Sequence, residues 1–145
     1  MPAFEPLVHS NYVPHDGENF MSDTQRDFFR HKLVQWRLQL LKECQETISS
    51  MKSHDAAADE IDAACNEMNY RLELRTRDRE RKLINKIDEA LRRLEDGSYG
   101  YCEETGDPIS LRRLIARPIA TLSIEAQERH ERRERSFRED NVVAA

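Results

Sequence analysis

From Ile61 to Asp96 the chain runs without a Gly or Pro, and one set of positions recurs every three or four residues: Ile61, Cys65, Met68, Leu72, Thr76, Arg79, Leu83, Ile87, Leu91 and Leu94. Most of them are apolar, and only a long helix puts such a series on one face. The series stops at Asp96-Gly97, where Gly is a natural residue to end a helix. At about 1.5 Å per residue, roughly 35 residues make a rod of about 50 Å. Thr76 and Arg79 interrupt its apolar stripe. An arginine there can pack its stem and keep its head wet, or it can present its charge to a partner.

A rod with one apolar stripe cannot stay in water alone, and its companion lies upstream. Ser22 and Gln25 stand at capping-box spacing, which predicts a helix start where each side chain satisfies the other's backbone donor. Phe29, Leu33, Trp36, Leu40, Cys44, Ile48 and Met51 then recur at steps of three or four. The connection to the second stripe is short, so the two helices are expected to fold back as an antiparallel hairpin over residues 22–96, with a slim tip near 53–62. The expected fold is mainly α: a long antiparallel coiled-coil hairpin, then a small globular end with a C-terminal helix over 97–145. Residues 1–21 hold Pro2, Pro6, Pro14 and Gly17 and no Lys or Arg. They suit an extended segment, either pinned to the body by Phe4, Leu7, Tyr12 and Phe20 or left as a partly ordered arm.

Composition narrows the function. Of 145 residues, 35% are charged and 7% aromatic, too few apolar groups for a large spherical core. A net charge of −5 argues against a free-standing DNA binder, whose footprint is normally basic. Three widely spaced cysteines, Cys44, Cys65 and Cys102, and no signal-peptide pattern predict a reducing, cytoplasmic setting. No apolar run is long enough for a membrane span. The five histidines are scattered, and no nucleophile elbow or phosphate loop is present, so no enzymatic activity is expected.

Charge is distributed unevenly. Asp55, Asp59, Glu60, Asp62 and Glu67 surround the expected tip, and no Lys or Arg occurs from residue 53 to 70. Acidic residues suit a helix start, yet a thin acidic probe on a stalk also suits a narrow channel with basic groups or a bound cation. Arg71 to Glu95 carries nine basic against six acidic residues. After Gly97 the periodicity gives way to turns, Pro118 disfavours helix at Arg117, and Ser123 is placed to cap a last helix. That helix is expected to run through Arg138, anchored by Ile124 and Phe137, with a frayed end at 142–145. Cys102, Thr105, Ser123 and Ala126 have the spacing of a four-cysteine zinc site with one cysteine left, so zinc binding is not expected.

Three strings, Leu72 to Leu83, Glu95 to Cys102 and Arg112 to Pro118, resemble the DksA family of bacterial transcription factors, and the likeness runs from about Tyr12 to Arg135. The resemblance implies a coiled-coil hairpin joined to a globular end that usually holds a four-cysteine zinc finger. It implies binding in the secondary channel of RNA polymerase, modulating promoter open complexes together with ppGpp in the stringent response. The family's tip motif falls on Asp59, Asp62 and Ala64, with Ala63 in place of its arginine and a loop one residue shorter. Its zinc cysteines fall on Cys102, Thr105, Ser123 and Ala126, as in a zinc-less, single-Cys branch with a degenerate finger. Its ppGpp and polymerase interface falls on Lys86 and Arg117, with Arg79 and Leu83 nearby and Gln127 replacing a lysine. A monomer without sequence-specific DNA binding or membrane association, holding no tight cofactor and sharing ppGpp with the polymerase, is the resulting expectation. Its rivals are a Gre-type transcript-cleavage factor, a dimerising coiled-coil adapter and a thiol redox switch at Cys102.

Overall fold

The computed structural model describes residues 11–54 and 60–144, and the side chains among them other than 51–64. Four helices follow one another: α1 (Asp23–His54), α2 (Glu60–Asp96), α3 (Leu111–Ala116) and α4 (Ile124–Val143). Among the described residues extended pairing is confined to one antiparallel bridge, Tyr101 with Pro108. The chain divides into two compact units, one of residues 31–91 and one of residues 1–30 with 92–145.

The 31–91 unit is the packed length of α1 against α2. Arg37 Nε donates to Asp88 Oδ1 at 2.7 Å, and Cys44 Sγ donates to Glu80 Oε2 at 2.9 Å. Seven residues forward along α1 correspond to eight backward along α2, so the helices are antiparallel. Leu33, Leu40, Ile87 and Ala90 are its buried apolar residues. Among the less exposed positions of α2, Glu73, Arg77, Glu80, Ile84, Ile87 and Leu91 alternate steps of four and three, with Leu83, Asp88, Ala90 and Leu94 beside them. This corrects the expected stripe: Leu72, Thr76 and Arg79 are exposed. The expected stripe used too many steps of four, about 3.8 residues per turn between Leu72 and Leu91, more than the 3.6 of a straight helix or the 3.5 of a seven-residue repeat. Five turns back from Leu91 span about 18 residues and reach Glu73, whereas the expected stripe took nineteen and arrived at Leu72. Cys65 and Met68 are exposed as well.

In the other unit, Ser22 Oγ accepts from the Gln25 backbone N–H at 3.4 Å, as the spacing predicts. The reciprocal bond differs: Gln25 Oε1 accepts from Met21 N–H at 2.9 Å, and Ser22 N–H goes to the Asn19 carbonyl. Gln25 is fully buried, and its Nε2 donates to Glu18 at 3.1 Å. Tyr12 donates to the same carboxylate, and burial together with that carboxylate pushes the phenol up to about 12. Tyr12 and Phe20 pin residues 11–21, one against Phe28 and the other edge-on to Tyr101 at 5.4 Å. Phe4 and Leu7 lie outside the described residues.

α2 ends as the sequence predicts. Gly97 takes φ +85°, and the backbone N–H groups of Gly97, Ser98 and Tyr99 all turn back to the Arg93 carbonyl. Tyr99, its ring tilted against Phe29 at 5.5 Å, is buried and donates its hydroxyl to the Pro118 carbonyl at 2.7 Å. Leu94, Ile109, Leu111, Leu114, Ile119 and Ala126 are the other buried apolar residues from this part of the unit, with Cys102 and Ala120. The expected anchors of α4 do not hold it: Ile124 is 49% and Phe137 74% exposed. Buried Ala126 and the ion pairs of Arg133 and Arg129 with Glu104 tie the helix down instead, and it continues to Val143 rather than fraying at 142.

Candidate functional site

Sequence reasoning placed functional residues at the tip, on α2 and around Cys102. The tip residue Asp59 lies outside the described residues. Asp62 and Ala64 fall in the first turns of α2, with side chains outside the described ones. On α2, Arg79, Leu83 and Lys86 stand at i, i+4 and i+7 and therefore share one face. Arg79 and Lys86 are exposed, and Leu83 is half-buried beside the packed seam. The seam itself becomes polar away from this point. Glu80 accepts from Cys44, whose thiol is pushed up to about 11 by burial and then by that carboxylate. Farther along, Glu43, Glu46, Glu73 and Glu80 line a groove of about 480 Å³ between the helices. Leu33, Leu40 and Ile87 are buried in this unit, whereas the groove is lined mainly by polar side chains together with Leu72.

Arg117 is the residue after α3, and its backbone N–H donates to the Arg113 carbonyl at 2.7 Å. Its side chain is exposed. Ser110 caps α3 and Arg113 Nε donates to the Leu122 carbonyl at 2.9 Å, so the Arg112–Pro118 string is held from both sides. Gln127, where a lysine was expected for ppGpp, donates to Glu131 at 2.8 Å within α4.

The structure does bring the four cysteine-spaced positions together. Cys102 is 3% exposed, in a loop whose two turns are closed by Cys102 N–H to the Asp107 carbonyl and Gly106 N–H to the Cys102 carbonyl, both 2.8 Å. Glu103 N–H reaches the Thr121 carbonyl at 2.9 Å, which draws the start of α4 to this loop. Burial raises the Cys102 pKa, but hydrogen bonds outweigh it: from the Thr105 hydroxyl and from the backbone N–H groups of Ser123, Thr105 and Glu104. The net result is a thiol lowered to about 6. Ser123 Oγ meanwhile accepts from Ala126 N–H at 3.3 Å as the N-cap of α4.

These residues do not fit a zinc ion. A structural site takes four nitrogen or sulfur ligands, and here one thiolate is met by donors, which repel a cation, with a methyl at the fourth position. Among the described residues no group of three or more His, Cys, Asp or Glu is placed to hold a metal. The spacing revealed the four positions. It could not reveal that Thr105 and the Ser123 N–H aim at the sulfur, nor that Glu104 receives two arginines of α4, because those contacts depend on the path of the loop. Among the described residues no helix is long and apolar enough to cross a membrane.

The comparisons with known proteins agree with this architecture. The family model of the DnaK suppressor protein DksA, N-terminal domain, matches residues 25–94, and that of the prokaryotic dksA/traR C4-type zinc finger matches residues 97–132. The chain is 59% identical over 132 residues to the RNA polymerase-binding transcription factor DksA of Caulobacter vibrioides, covering 90% of this chain and 93% of that one. It is 44% identical over 127 residues to the protein of the same name from Escherichia coli K12, covering 87% and 84%. The solved structure of transcription factor DksA2 from Pseudomonas aeruginosa superposes with a TM-score of 0.76 at 47% identity, over 80% of this chain and 90% of that one.

Proposed function

The chain belongs to the DksA family, and from that premise we propose that it is a non-enzymatic transcription regulator that binds RNA polymerase. The observation that carries this reading is the 59% identity that spans 93% of a relative named for binding RNA polymerase. In the proposed mechanism, the hairpin of residues 22–96 enters the polymerase secondary channel and brings Asp59, Asp62 and Ala64 to the active site. There the two carboxylates act by charge and hydrogen bonding on the promoter open complex, with no bond made or broken by this chain. The chain acts as a monomer.

ppGpp is the proposed effector, shared with the polymerase. Arg79, Leu83 and Lys86 on one face of α2, together with the exposed Arg117, supply its protein side. Several cations suit a ligand with multiple phosphates because charge-assisted hydrogen bonds to phosphate are the strong kind. The Gln127 amide, engaged with Glu131, leaves this site with one cation fewer than the resemblance implies. Zinc has no part in the mechanism, since Cys102 is the sole thiolate of its cluster.

The test is reconstitution with core RNA polymerase. The chain is expected to co-purify with it and to shorten promoter-complex lifetime, more strongly with ppGpp. Cleavage of backtracked RNA in place of that effect would favour the Gre-type reading.

A further inference from the structure

Leu33 and Leu40 are buried, and Arg37 and Cys44 reach across to Asp88 and Glu80, which fixes the face of α1 that packs on α2. Val34, Leu38 and Leu41 form a second stripe, at i, i+4 and i+7, and are 38%, 55% and 36% exposed. One residue past a buried position turns the side chain about 100°, and five residues about 140°. The second stripe therefore lies off the packed face, at positions that a two-helix coil normally gives to polar groups. A scattered exposed leucine needs no explanation, but three aliphatic side chains at the spacing by which helices are recognised do.

The charge beside this stripe has one sign. Residues 31–42, in a chain of net charge −5, hold His31, Lys32, Arg37 and Lys42 and no Asp or Glu. Arg37 is engaged with Asp88. Lys32 and Lys42 line a shallow depression on α1 together with Gln35, Trp36, Leu38 and Gln39, so Leu38 belongs to the apolar stripe and to the cationic surface at once. A second copy of this face would set lysines against lysines. A nucleic acid would meet the cations but leave three aliphatic side chains that offer its bases nothing to stack on. A helix whose apolar stripe is flanked by carboxylates satisfies both features, and two turns of contact suit a transient partner.

We propose that the outer face of α1, with Val34, Leu38 and Leu41 beside Lys32 and Lys42, docks an acidic amphipathic helix of another protein. The proposal goes beyond the polymerase reading and does not depend on it: Arg79, Leu83 and Lys86 belong to α2, and the test below contains no polymerase.

Trp36 is the single Trp of the chain and lines the depression, so its fluorescence reports occupancy. The probe is a synthetic helical peptide with a leucine stripe flanked by glutamates, and its twin carries lysines in their place. With the full-length chain, the acidic peptide is expected to shift Trp36 emission saturably, and the lysine twin to bind about tenfold more weakly or less. Leu38→Gln with Leu41→Gln is expected to keep wild-type helicity and melting temperature and to weaken the acidic peptide by about tenfold or more. Should that double variant unfold, Leu38→Gln alone reads the same loss at the most exposed of the three. Lys42→Glu is expected to narrow the preference for the acidic peptide. No saturable shift, equal binding of the two peptides, or wild-type affinity in the leucine variants would overturn the proposal. Displacement of the peptide by a single-stranded oligonucleotide would assign the face to nucleic acid and overturn it. Concentration-dependent dimers in sedimentation, abolished by Leu38→Gln, would assign it to a second copy and overturn it as well.

Discussion

Cys102 is the one of the four finger positions that keeps a cysteine, and Thr105, Ser123 and Ala126 are where this chain departs from a metal-bound finger. Where zinc would neutralise four thiolates, here one sulfur sits buried and is stabilised in its charged form by the Thr105 hydroxyl and three backbone N–H groups. The protein is therefore expected to purify without stoichiometric zinc and to melt at the same temperature in a chelator. One tightly held zinc per chain would contradict this. A variant carrying Cys44→Ser and Cys65→Ser leaves Cys102 alone to titrate, and its thiolate absorbance is expected to appear with a midpoint of about 6. The sign for stability follows from linkage. The folded pKa lies below the ordinary thiol value of about 8.5, so the contribution is full above that value and is lost as pH falls through about 6. Cys102→Ser should flatten stability over this window; an unchanged pH profile would refute the role. The positions of the cluster were legible from cysteine spacing. Its donors were not, since nothing in the spacing of Thr105 and Ser123 tells which groups turn inward.

At the scale of the helix, the register of α2 separates residues that the sequence made look equivalent. Ile87 is fully buried and Leu72 is 55% exposed, although both lie on the stripe read from the spacing. Ile87→Ala is expected to cost about 2–5 kcal/mol, and Leu72→Ala no more than about 0.5 kcal/mol. Chemical denaturation of the two variants decides it, and equal losses would restore the sequence-derived stripe. Helix starts and stops were legible because capping depends on nearest neighbours: Ser22, Ser123 and Gly97 each do what their local sequence announces. The seam was half legible. Near Leu91 apolar residues mark the seam, whereas toward Glu73 its positions are charged, so the apolar Leu72 drew the stripe one residue aside. The anchoring of α4 was illegible, because Glu104 lies far in sequence from Arg129 and Arg133.

For the molecule as a whole, the hairpin and globular end followed from periodicity, while the partner came from long strings such as Leu72 to Leu83 that no spacing rule replaces. Lys86→Ala and Arg117→Ala are each expected to weaken the ppGpp response by roughly 1.5 to 3 kcal/mol, about ten- to a hundredfold, while ppGpp-independent activity persists. Transcription assays over a ppGpp titration read this, and a wild-type response in both variants would remove the site. The central claim is that the acidic tip acts on the polymerase. It is met most directly by measuring promoter-complex lifetime with Asp62→Asn, alongside its affinity for core polymerase. The account predicts wild-type folding and affinity with the effect on lifetime gone; a variant that binds and shortens lifetime as the wild type does would contradict it.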